Sequence, residues 1–267
     1  MRKETKNSVW REVCRAAGLW PIWLRIGLQD IRMKYRRSFI GIGWIFLNLF
    51  IMIFAVGLIY SNLLGQNLSD FLPFLTIGLI CWGYITAAIV EGGNAFVASE
   101  GYIKQIGLPL YVYIFRFFVS ITLTMLISLP AFLIIGILYA VPFKLGVIWA
   151  LLGFLLLQGV SFFLIAIFSH LNVRFRDAAH IASVGLQVMF FITPIIWPSE
   201  MLARHRLHWV IDFNPFYHLL EVVRKPLLLS VPASDTNYIV VALFMVGLAL
   251  VAWIFTKFYS HRIAYLL

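Results

Sequence analysis

The side chains best suited to chemistry lie outside the long apolar stretches of this chain. The histidines all fall between those stretches, at His170, His180, His205, His208, His218 and His261. The interiors of the apolar stretches carry no Asp, Glu, Lys or Arg. A membrane hydrolase or an ion-coupled carrier needs ionisable groups or broken helices at membrane depth. The sequence therefore argues against both classes.

The densest cluster is Arg204-His205-Arg206-Leu207-His208, whose spacing is not typical of a metal site. We favour a solvated cluster facing lipid headgroups, and contact with a sugar or phosphate is the alternative. Cys14 and Cys81 belong to no metal-ligand or CxxC pattern. No metal site and no cofactor are expected in this chain.

A phosphate-binding loop of the form G-x-x-x-x-G-K-[ST] does not occur in the sequence. We therefore expect no ATP hydrolysis by this chain and no enzymatic activity. If transport is driven by ATP, a separate subunit must bind the ATP and Mg²⁺. That subunit would dock on the polar segments between apolar stretches, which are the N-terminal region, 91–116 and 170–180.

The composition is that of an integral membrane protein. Of the 267 residues, 62% are hydrophobic and 12% charged, and the mean hydropathy is +0.94. Soluble domains carry about 25% charged residues. The net charge of +10 could suggest nucleic acid, but cytoplasmic loops of membrane proteins collect Lys and Arg. We expect no nucleic-acid partner.

Apolar runs predict an all-α integral membrane fold with six transmembrane helices. A helix needs about 20 apolar residues to cross a bilayer. The run 39–61 is too long for the apolar core of a signal peptide and is interpreted as a retained anchor. The predicted spans are 39–61, 71–90, 117–139, 145–169, 181–197 and 237–256.

Two further segments complete the predicted organisation. Segment 1–38 holds ten Lys and Arg and an apolar stripe at helical spacing, which predicts an amphipathic helix in the membrane interface, divided near Pro21. It is either an electrostatic anchor or a docking surface for a cytoplasmic partner. Segment 198–236 is too apolar for a free loop and too broken for a span, so short re-entrant helices are expected. The domains are then 1–38 and a six-span domain, 39–267.

The charge bias predicts the orientation of the spans. With the N-terminus inside, 16 of the 21 Lys and Arg lie on the cytoplasmic side. This bias favours cytoplasmic termini. The exceptions concentrate in 198–236, which holds Arg204, Arg206, Arg224 and Lys225.

Four local patterns, in order along the chain, resemble permeases of bacterial polysaccharide ABC exporters, which move O-antigen, capsule or teichoic-acid chains. They are 30–44 (DIRMKYRRSFIGIGW), 94–96 with 102–110 (NAF, YIKQIGLPL), 171–177 (LNVRFRD), and 193–198 with 214–216 (TPIIWP, NPF). Many relatives have an aromatic residue before the proline, where this chain has Leu108 in Gly107-Leu108-Pro109. In this difference the chain resembles the O-antigen branch more than the teichoic-acid branch.

The resemblance implies a subunit with six spans, a homodimeric permease and two copies of a cytoplasmic ATP-binding subunit. It also implies export of a lipid-linked polysaccharide, O-antigen above all, across the bacterial inner membrane. Two rivals stay open. One is an ABC exporter of a drug or small lipid, and the other is a membrane scaffold or assembly protein that transports nothing.

Three sets of residues follow as hypotheses, each with an alternative. The channel-lining set is Phe39, Phe46, Phe50, Phe54, Phe190, Phe191 and Trp197, whose rings could instead face lipid or pack a dimer. The ATPase-coupling set is Glu100, Tyr102, Lys104, Gln105, Arg174, Arg176 and Asp177, of which Asp177 could simply cap a helix. The headgroup set is Lys34, Arg36 and Arg37, which either anchor the chain to the leaflet or bind the diphosphate of the substrate lipid.

Overall fold

A computed structural model describes residues 9–63, 65–142, 144–199, 201 and 208–267, without the side chain of His208. All regular secondary structure in these ranges is helical. The helices are α1 Val9–Gly18, α2 Trp20–Tyr35, α3 Gly43–Leu63, α4 Leu68–Val90, α5 Glu100–Gln105, α6 Tyr111–Leu138, α7 Ile148–Arg174, α8 Ala178–Ile192, α9 His208–Asp212, α10 Pro215–Leu229, α11 Asp235–Tyr259 and α12 Ile263–Leu266.

The chain is a multi-pass membrane protein. Five described stretches are long and apolar enough to cross a bilayer, namely Gly43–Leu63, Leu68–Asn94, Tyr111–Leu138, Leu145–Arg174 and Asp235–Leu266. The predicted span 181–197 corresponds to α8, which has only 15 residues. At 1.5 Å per residue α8 is about 22 Å long, less than the ~30 Å hydrocarbon core.

Helix α8 stops early because of the residue that follows it. Thr193 precedes Pro194 and has extended backbone, with ψ at 134°. Proline disfavours the helical conformation of the residue before it and offers no N–H of its own. The chain therefore leaves the helix at Ile192 and continues through Trp197 as bends.

Helix α3 begins later than predicted. Gly41 has a left-handed backbone, with φ at +59°, and the helix starts at Gly43. The turn is held by Ser38, whose Oγ accepts hydrogen bonds from the Trp44 indole at 2.9 Å and from the Gly41 N–H at 3.3 Å. Phe39 lies before this turn and is fully exposed. Phe39 of the predicted channel-lining set therefore lies outside α3, which carries Phe46, Phe50 and Phe54.

Two histidines were assigned wrongly to loops between spans. His170 lies inside α7, is 3% exposed, and packs edge-on against the ring of Phe96 at 5.0 Å between centroids. His180 lies in the first turn of α8. Helices α7 and α8 simply extend beyond the apolar runs, because helical hydrogen bonding does not end where apolar composition ends.

Helix α4 lies at the centre of the bundle. It packs against α3, α6, α7, α8 and α10 and is the most deeply buried of the five long stretches. A helix that is apolar on all sides is typical of such a central position. Helices α3 and α8 each pack against α4, and they do not pack closely against each other.

Helix α10 runs antiparallel to the first half of α7. A side chain at Gly146 would overlap Ser230, and one at Gly153 would overlap the backbone of Val222. Only glycine permits this close backbone approach. Phe216, at the other end of α10, packs against Trp82 of α4. Helix α10 therefore begins in the interior of the bundle and ends beside the start of α7.

The bundle has two chemically different ends. We call one the basic end; it is formed by α2, α5 and loop 174–177 and carries Arg32, Lys34, Arg36, Arg37, Lys104, Arg174 and Arg176. We call the other the distal end, and it contains residues 139–142, 144–147 and 230–234. The two ends are treated separately below.

Candidate functional site

Arg116 of α6 links three elements at the basic end. It donates to both carboxylate oxygens of Asp30 on α2, from Nε at 2.6 Å and from Nη2 at 2.7 Å. Nη1 donates to Oγ of Ser99 at 3.2 Å, and the guanidinium carbon lies 5.8 Å from the centre of the Tyr102 ring. A two-pronged arginine–carboxylate pair fixes orientation as well as distance. Arg116 therefore ties α2 to α6 and to the segment leading into α5.

A glycine allows α2 to lie directly on α6. A Cβ at Gly27 would be 2.8 Å from the carbonyl oxygen of Arg116. One turn earlier, Trp23 stacks on Phe115 with 5.2 Å between ring centroids. One face of α2 therefore packs against protein and does not face lipid.

Two tryptophans of the apolar stripe predicted in segment 1–38 are exposed, whereas Val13 of the same stripe packs against the core. Trp10 and Trp20 are 73% and 57% exposed. The helix break falls between Gly18 and Trp20, with Pro21 in the first turn of α2. Exposed tryptophans beside a packed face suit a helix that docks on the bundle while its aromatic stripe meets the interface.

Glu12 is a partly buried acid of this N-terminal unit. Burial raises the pKa of Glu12 above its usual 4.5, while a backbone hydrogen bond from Leu110 and the charge of Arg15 act in the opposite direction. A raised pKa means that the folded protein binds the proton more strongly than the unfolded chain. The contribution of Glu12 to stability is therefore favourable at acid pH and is lost as the pH rises above 4.5.

Glu12→Gln should consequently stabilise the protein at pH 8, because a neutral amide removes the cost of burying a carboxylate. The gain should shrink as the pH falls toward 4.5, where wild-type Glu12 becomes protonated. Thermal unfolding of the two proteins in the same detergent across this pH range measures the difference. A gain in thermal stability that does not depend on pH would contradict a raised pKa for Glu12.

The coupling residues predicted on α5 are exposed at the basic end. Lys104 pairs with Glu100 at 2.6 Å, one helical turn apart, and both side chains are about half exposed. Tyr102 is 48% exposed even though one side of its ring faces Arg116. Gln105 is exposed at the last position of α5.

The second coupling segment lies at the same end of the bundle. Arg174, Arg176 and Asp177 are all exposed. Asp177 occupies the N-cap position of α8, but its side chain makes no capping hydrogen bond. The alternative that it is simply a helix cap therefore lacks the contact that defines one.

Several contacts join these two segments. A side chain at Gly93 would meet Phe168 of α7 at 2.9 Å, so the chain after α4 lies directly on α7. Asn172 donates to Asn94 at 3.3 Å across this contact. The C-terminal helix α12 touches both α5 and α7. The structure thus brings both predicted coupling segments to one end of the bundle.

Lys34 is partnered more specifically than the sequence predicted. Its Nζ donates to both carboxylate oxygens of Glu91, at 3.0 Å each. This pair joins the end of α2 to the end of α4, and both side chains are about half exposed. Arg36 and Arg37 follow α2 and are exposed. Glu91 was not among the predicted site residues, although it ends an apolar run.

The predicted channel aromatics fall on two separated helices. Phe46, Phe50 and Phe54 lie on α3, where Phe50 and Phe54 stack at 6.2 Å. On α8, Phe191 is 65% exposed, while Phe190 packs against Trp82 of α4 at 6.1 Å. A third ring follows α8, where the Trp197 indole donates to the Phe191 carbonyl at 3.1 Å. Within one chain the structure does not bring the two sets together.

An ion cluster that sequence reasoning missed lies in the distal half. Arg224 of α10 is 3% exposed and donates to the Pro194 carbonyl at 2.9 Å. Its guanidinium lies 3.9 Å above the centre of the Phe74 ring and 3.4 Å from Glu221, which is 5% exposed. The sequence counted Arg224 among charges outside the membrane. The signal was the acid and base three residues apart in an apolar helix.

A second polar contact fixes the start of α10. Asn214 caps the helix by accepting from the N–H groups of Phe216 and Tyr217, and its amide donates to Thr193 at 2.9 Å. His218 bridges Asn237 at 2.7 Å and the carbonyl of Asp212 at 3.0 Å. The cluster 204–207 lies outside the described residues.

Comparison with known proteins identifies the family. The chain matches the family model described as ABC-2 type transporter over residues 24–228, which includes most of α2 and α10 and all helices between them. The match covers more than half of the sequence. The chain belongs to the ABC-2 type transporter family. Members are membrane permeases without an ATPase domain, and the family implies pairing with an ATP-binding subunit.

Individual relatives of this permease carry a more specific name. Two proteins from Klebsiella pneumoniae, each called O-antigen export system permease protein RfbA, are 26% identical over 205 residues, which is 76% of this chain and 78% of theirs. The protein of that name from Myxococcus xanthus is 27% identical over 193 residues, 72% of this chain and 74% of its own. The resemblance predicted from four local patterns is confirmed at the level of the family.

Proposed function

We propose that this permease is the membrane-spanning subunit of an ATP-driven exporter that moves a lipid-linked polysaccharide, O-antigen above all, across a bacterial inner membrane. The observation that carries the proposal is its alignment with O-antigen export permeases over about three quarters of each chain. In this proposal the chain is a transporter subunit, and ATP and Mg²⁺ are bound by its partner.

The topology proposed is six crossings with both termini in the cytoplasm. The basic end then faces the cytoplasm, in keeping with its excess of Lys and Arg. Helix α8 and the bends after it, up to residue 198, make the fifth crossing. Helices α9 and α10 form the re-entrant region, since α10 runs beside α7 from the bundle interior to the distal end. Segment 1–38 lies in the interface, and 39–267 forms the six-span domain.

A homodimer is proposed because the described residues of one chain leave the two predicted sets of channel aromatics apart. Helices α3 and α8 each pack on α4 and not closely on each other, so their aromatic rings are separated within a subunit. A second copy would bring α3 of one subunit toward α8 of the other. Aromatic rings can contact the apolar C–H faces of sugars without the tight grip of a charged site.

Phe46→Ala combined with Phe50→Ala tests this lining. If both rings contact the moving polymer, export should fall about thirtyfold, since each aromatic contact is worth around 1 kcal/mol and the double variant removes two of them. Phe258→Ala, an exposed phenylalanine on α11, is the matched control. The measurement is surface polysaccharide per unit of inserted permease. Unchanged export by the double variant would exclude lining by these rings.

Two copies of the ATP-binding subunit are proposed to dock on the basic end. The exposed residues of α5 and of loop 174–177 offer a charged surface there. Charge reversal places like charges across an interface, which costs several kcal/mol. Lys104→Glu and Arg176→Glu should therefore abolish co-purification of the ATP-binding subunit while the permease still inserts.

The control for this charge reversal is Lys144→Glu, at an exposed position near the distal end. It makes the same change of charge and should leave the partner bound. Retention of the ATP-binding subunit by both reversal variants at the basic end would place the docking surface elsewhere.

Arg36 and Arg37 remain the proposed contacts for the diphosphate of the lipid carrier. Both are exposed after α2, and the arginine fork suits paired phosphate oxygens. Lys34 is engaged with Glu91, so the two arginines are the stronger candidates within the predicted headgroup set.

Deletion of the gene in the source bacterium tests the proposed substrate. If the permease exports O-antigen, lipopolysaccharide on a gel should lose its polysaccharide ladder, and the intact gene should restore it. A drug exporter would instead leave the ladder intact and lower the tolerated drug concentration. A scaffold would lose the ladder without any requirement for ATP hydrolysis by the partner subunit.

A further inference from the structure

A groove of about 400 Å³ lies between α3, α4 and α6 in the half of the bundle next to the basic end. Each helix lines it with residues spaced three or four apart, so each contributes one face. The walls are mostly aliphatic and include Met52 and Met125, whose flexible side chains adapt to irregular apolar partners. Its volume is within the range of small-molecule sites in proteins.

The mouth of the groove presents one positive and one negative charge. Lys34 and Glu91 both line it, paired at 3.0 Å and each about half exposed. These two charges balance within the lining, so the lining itself does not favour a purely anionic headgroup. A zwitterionic headgroup offers the opposite charge to each side chain.

Asn48 adds a polar contact farther along the groove. It lines the wall on α3, is exposed, and has no hydrogen-bond partner among the described residues. It follows the start of α3 at Gly43 by five residues, or about 8 Å along the helix axis. The interfacial layer of a bilayer is about 6 Å deep on each side of the hydrocarbon. With the start of α3 placed at the outer edge of this layer, Asn48 lies near its inner boundary, where the phospholipid esters are.

These three features identify the occupant by its chemistry. We propose that the groove binds one phosphatidylethanolamine molecule of the surrounding leaflet, with its phosphate at Lys34, its ammonium at Glu91, an ester carbonyl at Asn48 and one acyl chain between α3, α4 and α6. A polyprenyl carrier has only hydrocarbon beyond its phosphates and would leave Asn48 without a partner. The inference does not depend on the proposed export function.

Gly83 provides a way to close the groove. It lines the wall on α4, and a Cβ there meets nothing within 4 Å. Gly83→Phe should therefore fill the groove without displacing the backbone. Gly247→Phe is the matched control, because Gly247 on α11 is also exposed with open space around it and lies outside the groove.

Native mass spectrometry of the full-length permease with equal amounts of phosphatidylethanolamine, phosphatidylglycerol and phosphatidylcholine tests the proposal. Wild type and Gly247→Phe should retain phosphatidylethanolamine about tenfold over the other two, which corresponds to one charge-assisted hydrogen bond. Phosphatidylcholine cannot donate such a bond to Glu91, and phosphatidylglycerol has no cation. Gly83→Phe should lose the bound lipid.

Glu91→Gln gives a second readout if Gly83→Phe fails to fold. Removing the negative charge at the mouth should shift retention from phosphatidylethanolamine toward phosphatidylglycerol. Equal retention of the three lipids, unchanged occupancy in Gly83→Phe, or unchanged selectivity in Glu91→Gln would overturn the proposal. Displacement of the bound lipid by a polyprenyl phosphate would also overturn it, by assigning the groove to a carrier lipid.

Discussion

Arg116→Met should destabilise the protein by about 3 kcal/mol and release α2 from the bundle. The side chains of Arg116 and Asp30 are 12% and 26% exposed, so methionine would leave a largely buried carboxylate without its partner. The loss of stability should be concentrated at the basic end, because Arg116 also contacts Ser99 and Tyr102 there. Chemical unfolding in detergent gives the energy, and hydrogen exchange within Trp20–Tyr35 gives the location.

The matched control is Lys104→Met, which removes one side of an exposed ion pair at the same end. Exposed pairs one helical turn apart contribute about 0.5 kcal/mol or less. Combining Arg116→Met with Asp30→Leu should recover part of the loss, since no buried charge then remains. If Arg116→Met costs no more than Lys104→Met, the link between α2 and α6 does not depend on this pair.

Arg224→Met should be at least as damaging, at about 3–5 kcal/mol, because it removes one partner of a buried ion cluster. Glu221 would stay buried with Lys225 as its remaining ion-pair partner among the described residues, at 3.7 Å. The Pro194 carbonyl would lose its donor at the point where α8 has ended. We therefore expect faster hydrogen exchange in 189–197 and a low yield of folded protein.

Lys225→Met is the control for this variant. Lys225 belongs to the same cluster, but its side chain is 37% exposed, so its removal should cost less than about 1 kcal/mol. Similar losses for the two variants would mean that burial of Arg224 is not what stabilises the junction of α8 and α10.

The long helices were predicted well because insertion into a membrane depends on the apolar composition of a segment. Twenty consecutive apolar residues have few alternatives to a helix in a bilayer, since every backbone group must be satisfied internally. The predicted helix boundaries were wrong where local backbone geometry sets the start or the end of a helix. Gly41 moved the start of α3 past Phe39, and Pro194 ended α8 before the predicted limit.

The candidate site was predictable only as a set of segments. Exposed charges at Lys104 and Arg176 are visible in the sequence because they interrupt apolar composition. The pairs that join segments far apart in the chain are not visible, as Arg116 with Asp30 shows across 86 positions. The burial of Arg224 was not predicted for the same reason, since nothing local indicates that Phe74 and Pro194 surround it.

The most direct test of the proposed export function is transfer of the polymer itself. The permease and its ATP-binding subunit would be reconstituted in liposomes that carry lipid-linked O-antigen. A glycosidase added outside the vesicles would cleave only the polymer on the outer face, and so would measure how much polymer is on each side. The account predicts that polymer changes sides only with ATP, and that an ATP-binding subunit unable to hydrolyse ATP abolishes the change. No transfer by the intact complex, or equal transfer without ATP, would contradict it.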